Sequence, residues 1–221
     1  MATIHTGTTL APSKLELLAD WLPQRPWYLD AGAPPALSKA GGFRLDDPAG
    51  EVGIEFMLVI DAAGGGETTY SVPMTYRAAP LDGADDALIG TSEHGVLGTR
   101  WFYDAAHDPV AVDQLLALIT GSAQAQHQSE SDTPDPSVGR AWVSSGGRLT
   151  VPTPLRVSDH RPGHTLVDVE LRNDSSSEVG EPTLDLVRVL PGDGHTGLGH
   201  VEATWTRLDG ESARGLVAVV R

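Results

Sequence analysis

The spacing of apolar residues marks two helices. Between 109 and 120, Val112, Leu115, Leu116 and Ile119 recur at i, i+3, i+4 and i+7, with Asp108 at the N-cap, Pro109 at the first helical position and Gly121 as the stop. Residues 13–22, SKLELLADWL, carry Leu15, Leu18 and Leu22 on one face behind a capping box made by Ser13 and Glu16. Pro23 ends that helix, and the QRPWY that follows holds Trp27 and Tyr28 in a proline-constrained turn.

Alternation of period two marks the strands. Residues 43–47, 52–61 and 68–77 read as three successive strands, with Ile54, Phe56, Leu58 and Ile60 on one face of the second and Tyr70, Val72, Met74 and Tyr76 on one face of the third. Short links, DPAG and AAGGGE, make them an antiparallel meander, and Pro73, lacking a ladder donor, implies an edge or a bulge. After an acidic loop, a fourth strand over 96–104 places Trp101 and Tyr103 on one face and Phe102 on the other, one face to be covered by the helix at 109–120.

The pattern fails across 123–139, a polar stretch without aromatics that reads as a linker or loop. Alternation returns at 165–172, 183–190, 200–207 and 214–220, with weaker runs at 140–145 and 153–158. Asp209-Gly210 between the last two strong runs favours a type I′ hairpin. The expected fold is α+β: an antiparallel meander packed by helices over 1–122, then an all-β extension over 140–221 that forms its own unit or completes the same sheet.

Composition narrows the function. The formal charge of −15 repels nucleic acid and anionic membrane, so neither is an expected partner. The absence of cysteine removes disulfides and thiolate metal sites. The opening MATIHTGTTLAPSK lacks signal-peptide character and no apolar run approaches the roughly 20 residues of a membrane span, so a cytoplasmic location is expected.

Eight histidines form no HxH, HExxH or HxxxH pair on a helix; His160 and His164 are separated by a turn, so neither metal nor cofactor is expected. Gly192, Gly194 and Gly197 spell GxGxxG between His195 and His200, but a strand follows where a phosphate cradle needs a helix N-terminus. No phosphate-binding GxxxxGK[ST] or GxSxG elbow exists, and the doublets Asp46-Asp47 and Asp85-Asp86 suit solvated turns. The remaining acid-base candidates are His94, His107, Asp104 and Asp108, and the aromatic candidates for binding are Trp27, Tyr28, Trp101 and Tyr103.

Several segments together resemble the N-terminal cap domain of actinobacterial maltokinases: the leading helix ending LPQRPWY, the strand YSVPMTYR, ALIG at 87–90, and YDAAHDPVAVDQLLALI. The likeness runs over residues 10–121 in the family's order, with Pro26 inserted in the usual Q-R-W. It implies a place in maltose, trehalose and α-glucan metabolism. The chain has no kinase catalytic loop, pairing lysine or metal-binding aspartate motif, so no catalytic residue carries over. The expected function is therefore a non-catalytic module that binds a partner enzyme or an α-glucan; the alternative is a small sugar-active enzyme built on the acid-base set above.

Overall fold

The computed structural model describes residues 10–130, 132–143, 148–172, 181–192, 194 and 196–221. The fold is α+β, with two α-helices among the described residues and a large antiparallel sheet. The amino-terminal half contains β1 (Leu10–Ala11), α1 (Lys14–Trp21), β2 (Leu37–Asp46), β3 (Gly53–Asp61), β4 (Thr68–Arg77), β5 (Leu88–His94), β6 (Gly98–Asp104) and α2 (Pro109–Thr120). Short strands follow: β7 (Gln126–His127), β8 (Gly139–Trp142), β9 (Arg148–Thr150), β10 (Val157–Ser158), β11 (His164–Asp168) and β12 (Glu170–Arg172). The chain closes with β13 (Thr183–Val187), β14 (Val189–Leu190), β15 (Gly199–Thr206) and β16 (Ser212–Val220).

Both helices start and stop for the reasons their sequences give. Ser13 and Glu16 form the reciprocal capping box of α1, and Asp108 accepts the Val110 N–H at the N-cap of α2, whose C-cap Gly121 adopts φ 91°.

Strand pairing joins the two halves of the chain. From β4 the ladders pass through β3, β2, β15 and β16 to β13; across Arg188 the same run continues as β14, which pairs back onto β4. The result is a closed six-stranded ring, with β13 and β14 counted as one strand. The seam between β2 and β15 is narrow: Gly41 opposes Trp205, after which β2 takes β7 and β15 takes β8 as partner. Into that divergence packs α2, whose Val112, Leu115, Leu116 and Ile119 join Phe43, Phe56, Leu58, Val201 and Trp205 in the main core.

The sheet is buried on both faces. While Ile54, Phe56, Leu58 and Ile60 face the main core, Met57 and Val59 of β3 and Tyr70, Val72 and Met74 of β4 face a second core under α1, with Leu18, Trp21, Leu22, Trp27 and Phe102.

The structure departs from the sequence pattern in five places. The stretch ALIG belongs to β5, not to a loop; Gly90 breaks the register there and lies under Leu17. β2 begins at Leu37, six residues before the apolar alternation, because Gly41 and Gly42 offer no hydrophobic signal. Pro73 lies within a central strand. Ser71 N–H donates to the Arg188 carbonyl, so the residue two positions on faces the same edge, where β14 has ended and the β6 ladder starts at Met74; no donor is needed there. The last hairpin is not type I′: Asp209 keeps a negative φ, Gly210 N–H donates to the Arg207 carbonyl, and Gly210 takes φ 86°, giving a type I turn with a glycine bulge. Within 121–139, Gln126 and His127 pair with β2 and Ala125 is buried.

Candidate functional site

Asp104, Asp108 and His94 of the acid-base candidates are occupied by structural work. Asp104 ends β6 and accepts the Ala106 N–H, capping the short turn Ala105–His107. Its two oxygens also receive Arg188 Nη2 at 2.8 and 2.6 Å. Asp108, fully buried, receives both Nε and Nη2 of Arg77 at 2.8 and 2.7 Å while capping α2. That pairing holds the Arg77 guanidinium above its already high value. His94 sits at the tip of the β5–β6 hairpin, where Nδ1 accepts the N–H groups of Val96 and Leu97. His107 is half-buried at the end of the capped turn. His94 opposes Gly98 while Asp104 ends the same strand, a separation of roughly 20 Å at about 3.3 Å per residue. The four are therefore not brought around one substrate.

The aromatic candidates divide. Trp27 is 2% exposed, packed edge-on to Trp21 at 5.8 Å and tilted over Tyr70 at 6.0 Å, with the Arg188 guanidinium 5.0 Å from its ring. Tyr28 stacks on Tyr70 at 5.6 Å and donates its hydroxyl to Asp61; burial and that carboxylate raise its pKa. Tyr103 is buried and its hydroxyl accepts the Leu81 N–H, and beside it Trp101 is half-buried. The residues covering this face are Leu81, Ala84 and Ala87, rather than α2. Phe102, on the opposite face, packs against Tyr76 under α1.

In the carboxyl half, His164 is committed to a buried cluster. His164 Nδ1 lies 2.7 Å from a fully buried Asp185 oxygen, and Arg161 and Arg221 share that carboxylate. His195 lies outside the described residues, and the glycines around it lead into β15. Among the described residues no cluster of three or more His, Cys, Asp or Glu could hold a metal ion.

Two features escaped the sequence pattern. Both lysines of the chain lie near the buried Glu55, whose carboxylate receives Lys14 Nζ and Gln128 Nε2. Burial lowers the Lys14 pKa, but Glu55 outweighs it, so the net shift is upward. The second is a cleft of about 310 Å³ between the carboxyl half of α2 and strands β8 and β9, lined by Asp113, Leu116, Thr120, Trp142 and Arg148. The available signal was the stripe Asp113, Leu116, Ala117, Thr120 at helical spacing. Trp142 gave none, because it ends a weakly alternating run.

With this geometry in place, comparison with known families matches residues 21–108 to the maltokinase N-terminal cap domain. The matched segment begins at the last residue of α1, includes β2 to β6, and ends at the N-cap of α2. The seven strands from β10 to β16, and the cleft at Trp142, lie outside it.

Proposed function

We propose that this protein is a non-catalytic accessory module of maltose, trehalose and α-glucan metabolism that acts by binding a partner enzyme. The observation that carries the reading is the engagement of the acidic candidates inside the cap-like segment. Asp104 and Asp108, the groups best placed to act as acids or bases, are locked to Arg188 and Arg77 as buried ion pairs that also cap turns. An acid or base needs access to a substrate proton, and a carboxylate held in this way lacks it.

The reading is further supported by the outer strand of the same segment. β5 pairs with β6 on one side, and on the other, among the described residues, Glu93 and His94 pair with β1. At the hairpin tip Val96 is 65% exposed and Leu97 41%. An outer strand with unpaired backbone groups and an apolar tip is a surface suited to a partner protein. Retention of an enzyme of maltose, trehalose or α-glucan conversion on the immobilised protein, weakened in Val96→Asp/Leu97→Asp, is the expected result. Failure to retain any such enzyme, or retention unaffected by the double substitution at the tip, would refute the partner or the surface respectively. Sugar-dependent ADP release by the pure protein would refute the non-catalytic assignment.

A further inference from the structure

Outside the cap-like segment, the cleft at Trp142 has the makings of a ligand site. Its volume of about 310 Å³ is at the lower end of the range for small-molecule sites. Trp142 is half-buried at the end of β8, directly opposite Gly199 of β15. A Cβ on Gly199 would lie 2.4 Å from Trp142 Cε3 and 2.8 Å from Ile119 Cγ2, so the glycine is what lets the indole lie down against the strand backbone. The ring is thereby fixed while part of it lines the cleft.

The polar lining is unspent. Asp113 on α2 and Arg148 on β9 are both exposed and carry opposite charges, and their side chains have no hydrogen bond or ion pair among the described residues. Thr120 donates its hydroxyl proton to the Leu116 carbonyl and Ser122 to the Ala117 carbonyl, leaving both hydroxyl oxygens able to accept. A fixed aromatic surface, a carboxylate, a guanidinium and two hydroxyl oxygens thus converge on one space.

We infer that this cleft binds a neutral polyhydroxylated ring, the end of an α-linked gluco-oligosaccharide. A sugar offers an apolar C–H surface to the indole and hydroxyls that both donate to Asp113 and accept from Arg148. The balanced pair of charges disfavours a phosphate, which Asp113 and the overall charge of −15 would repel. The polar lining disfavours an apolar peptide. The choice of α-linked glucose rests on the proposed place in α-glucan metabolism; the choice of a sugar rests on the cleft alone.

Calorimetric titration of the full chain with maltose, maltotriose and maltoheptaose, using cellobiose as the control, tests this. Saturable binding is expected, weakened about tenfold in Trp142→Ala and several-fold in Asp113→Ala and Arg148→Ala, and unchanged in Trp101→Ala. Since Trp142 also packs near Ile119, the two exposed charge substitutions keep the test independent of folding. Absence of saturation by any α-glucan up to about 10 mM, or binding untouched by all three cleft substitutions, overturns the site. Equal binding of cellobiose overturns the α-linked assignment. The Asp113→Ala protein should retain the partner enzyme as well as the wild type, so loss of sugar binding and loss of partner binding are separate results.

Discussion

Arg188 offers the sharpest test of how the fold is held. It is fully buried in the break between β13 and β14, pairs with Asp104 through Nη2, donates from Nε to Thr165 at 2.8 Å and lies over Trp27. Replacing it with leucine strips Asp104 of its counter-charge while leaving that carboxylate buried beside a single backbone donor. Removing one member of such a pair costs about 3–5 kcal/mol, and the lost stacking on Trp27 adds about 1 kcal/mol. With an m value of about 2 kcal/mol/M, a loss of about 4 kcal/mol lowers the urea midpoint by about 2 M. Replacing both partners removes the stranded charge. Asp104→Leu/Arg188→Leu should therefore be more stable than the summed single losses by at least about 2 kcal/mol, even though the Ala106 N–H loses its cap. Equilibrium urea unfolding of the wild type, both single variants and the double variant completes the cycle. A loss below about 1 kcal/mol in Arg188→Leu, or strict additivity, would refute the view that this pair carries a desolvated charge balance.

Other outcomes follow from the same structure. Leu116→Ala, which truncates a buried residue of α2, should cost about 2–5 kcal/mol by urea unfolding. His107→Ala, at a half-buried turn position, should change stability by less than about 0.5 kcal/mol. Asp47 should control the acid limb. Burial raises its pKa, but the N–H groups of Ala49, Glu51 and Val52 outweigh burial and hold it below the ordinary carboxylate range. A depressed folded value means that its stabilisation is present above the unfolded carboxylate pKa and lost as pH falls through the folded one. Asp47→Asn should thus be less stable at pH 7, with the deficit shrinking below about pH 4; a pH-independent deficit in thermal unfolding would contradict this.

Local chemistry was readable wherever it was sufficient to decide. The caps of α1 and α2 and the opposed faces of β3 and β4 depend on residues close in sequence, and the pattern located them. What the pattern did not contain were the long-range partners. That Asp104 and Asp108 are bound by Arg188 and Arg77 is a property of pairing across 84 and 31 residues, so both stayed acid-base candidates in the chain. Pro73 misled for the same reason: the place where one strand edge changes partner exists only once β14 and β6 have both arrived. Trp142 was passed over because four residues of weak alternation reveal neither Gly199 beneath the ring nor Asp113 across from it.

The closed ring also sets an order of events during synthesis. When the ribosome has released the strands up to β6, Gly41 of β2 and the first half of β4 are still waiting for partners encoded more than 100 residues further on. Until residues 189–206 emerge, the nascent chain presents unpaired edge at Gly41 of β2 and at Thr69–Ser71 of β4, beside a largely apolar β3. Chaperone capture at this stage, or aggregation where it fails, would therefore concentrate on β2 and β4 rather than on the helices. A stop codon that removes β14 to β16 would expose the same two edges permanently.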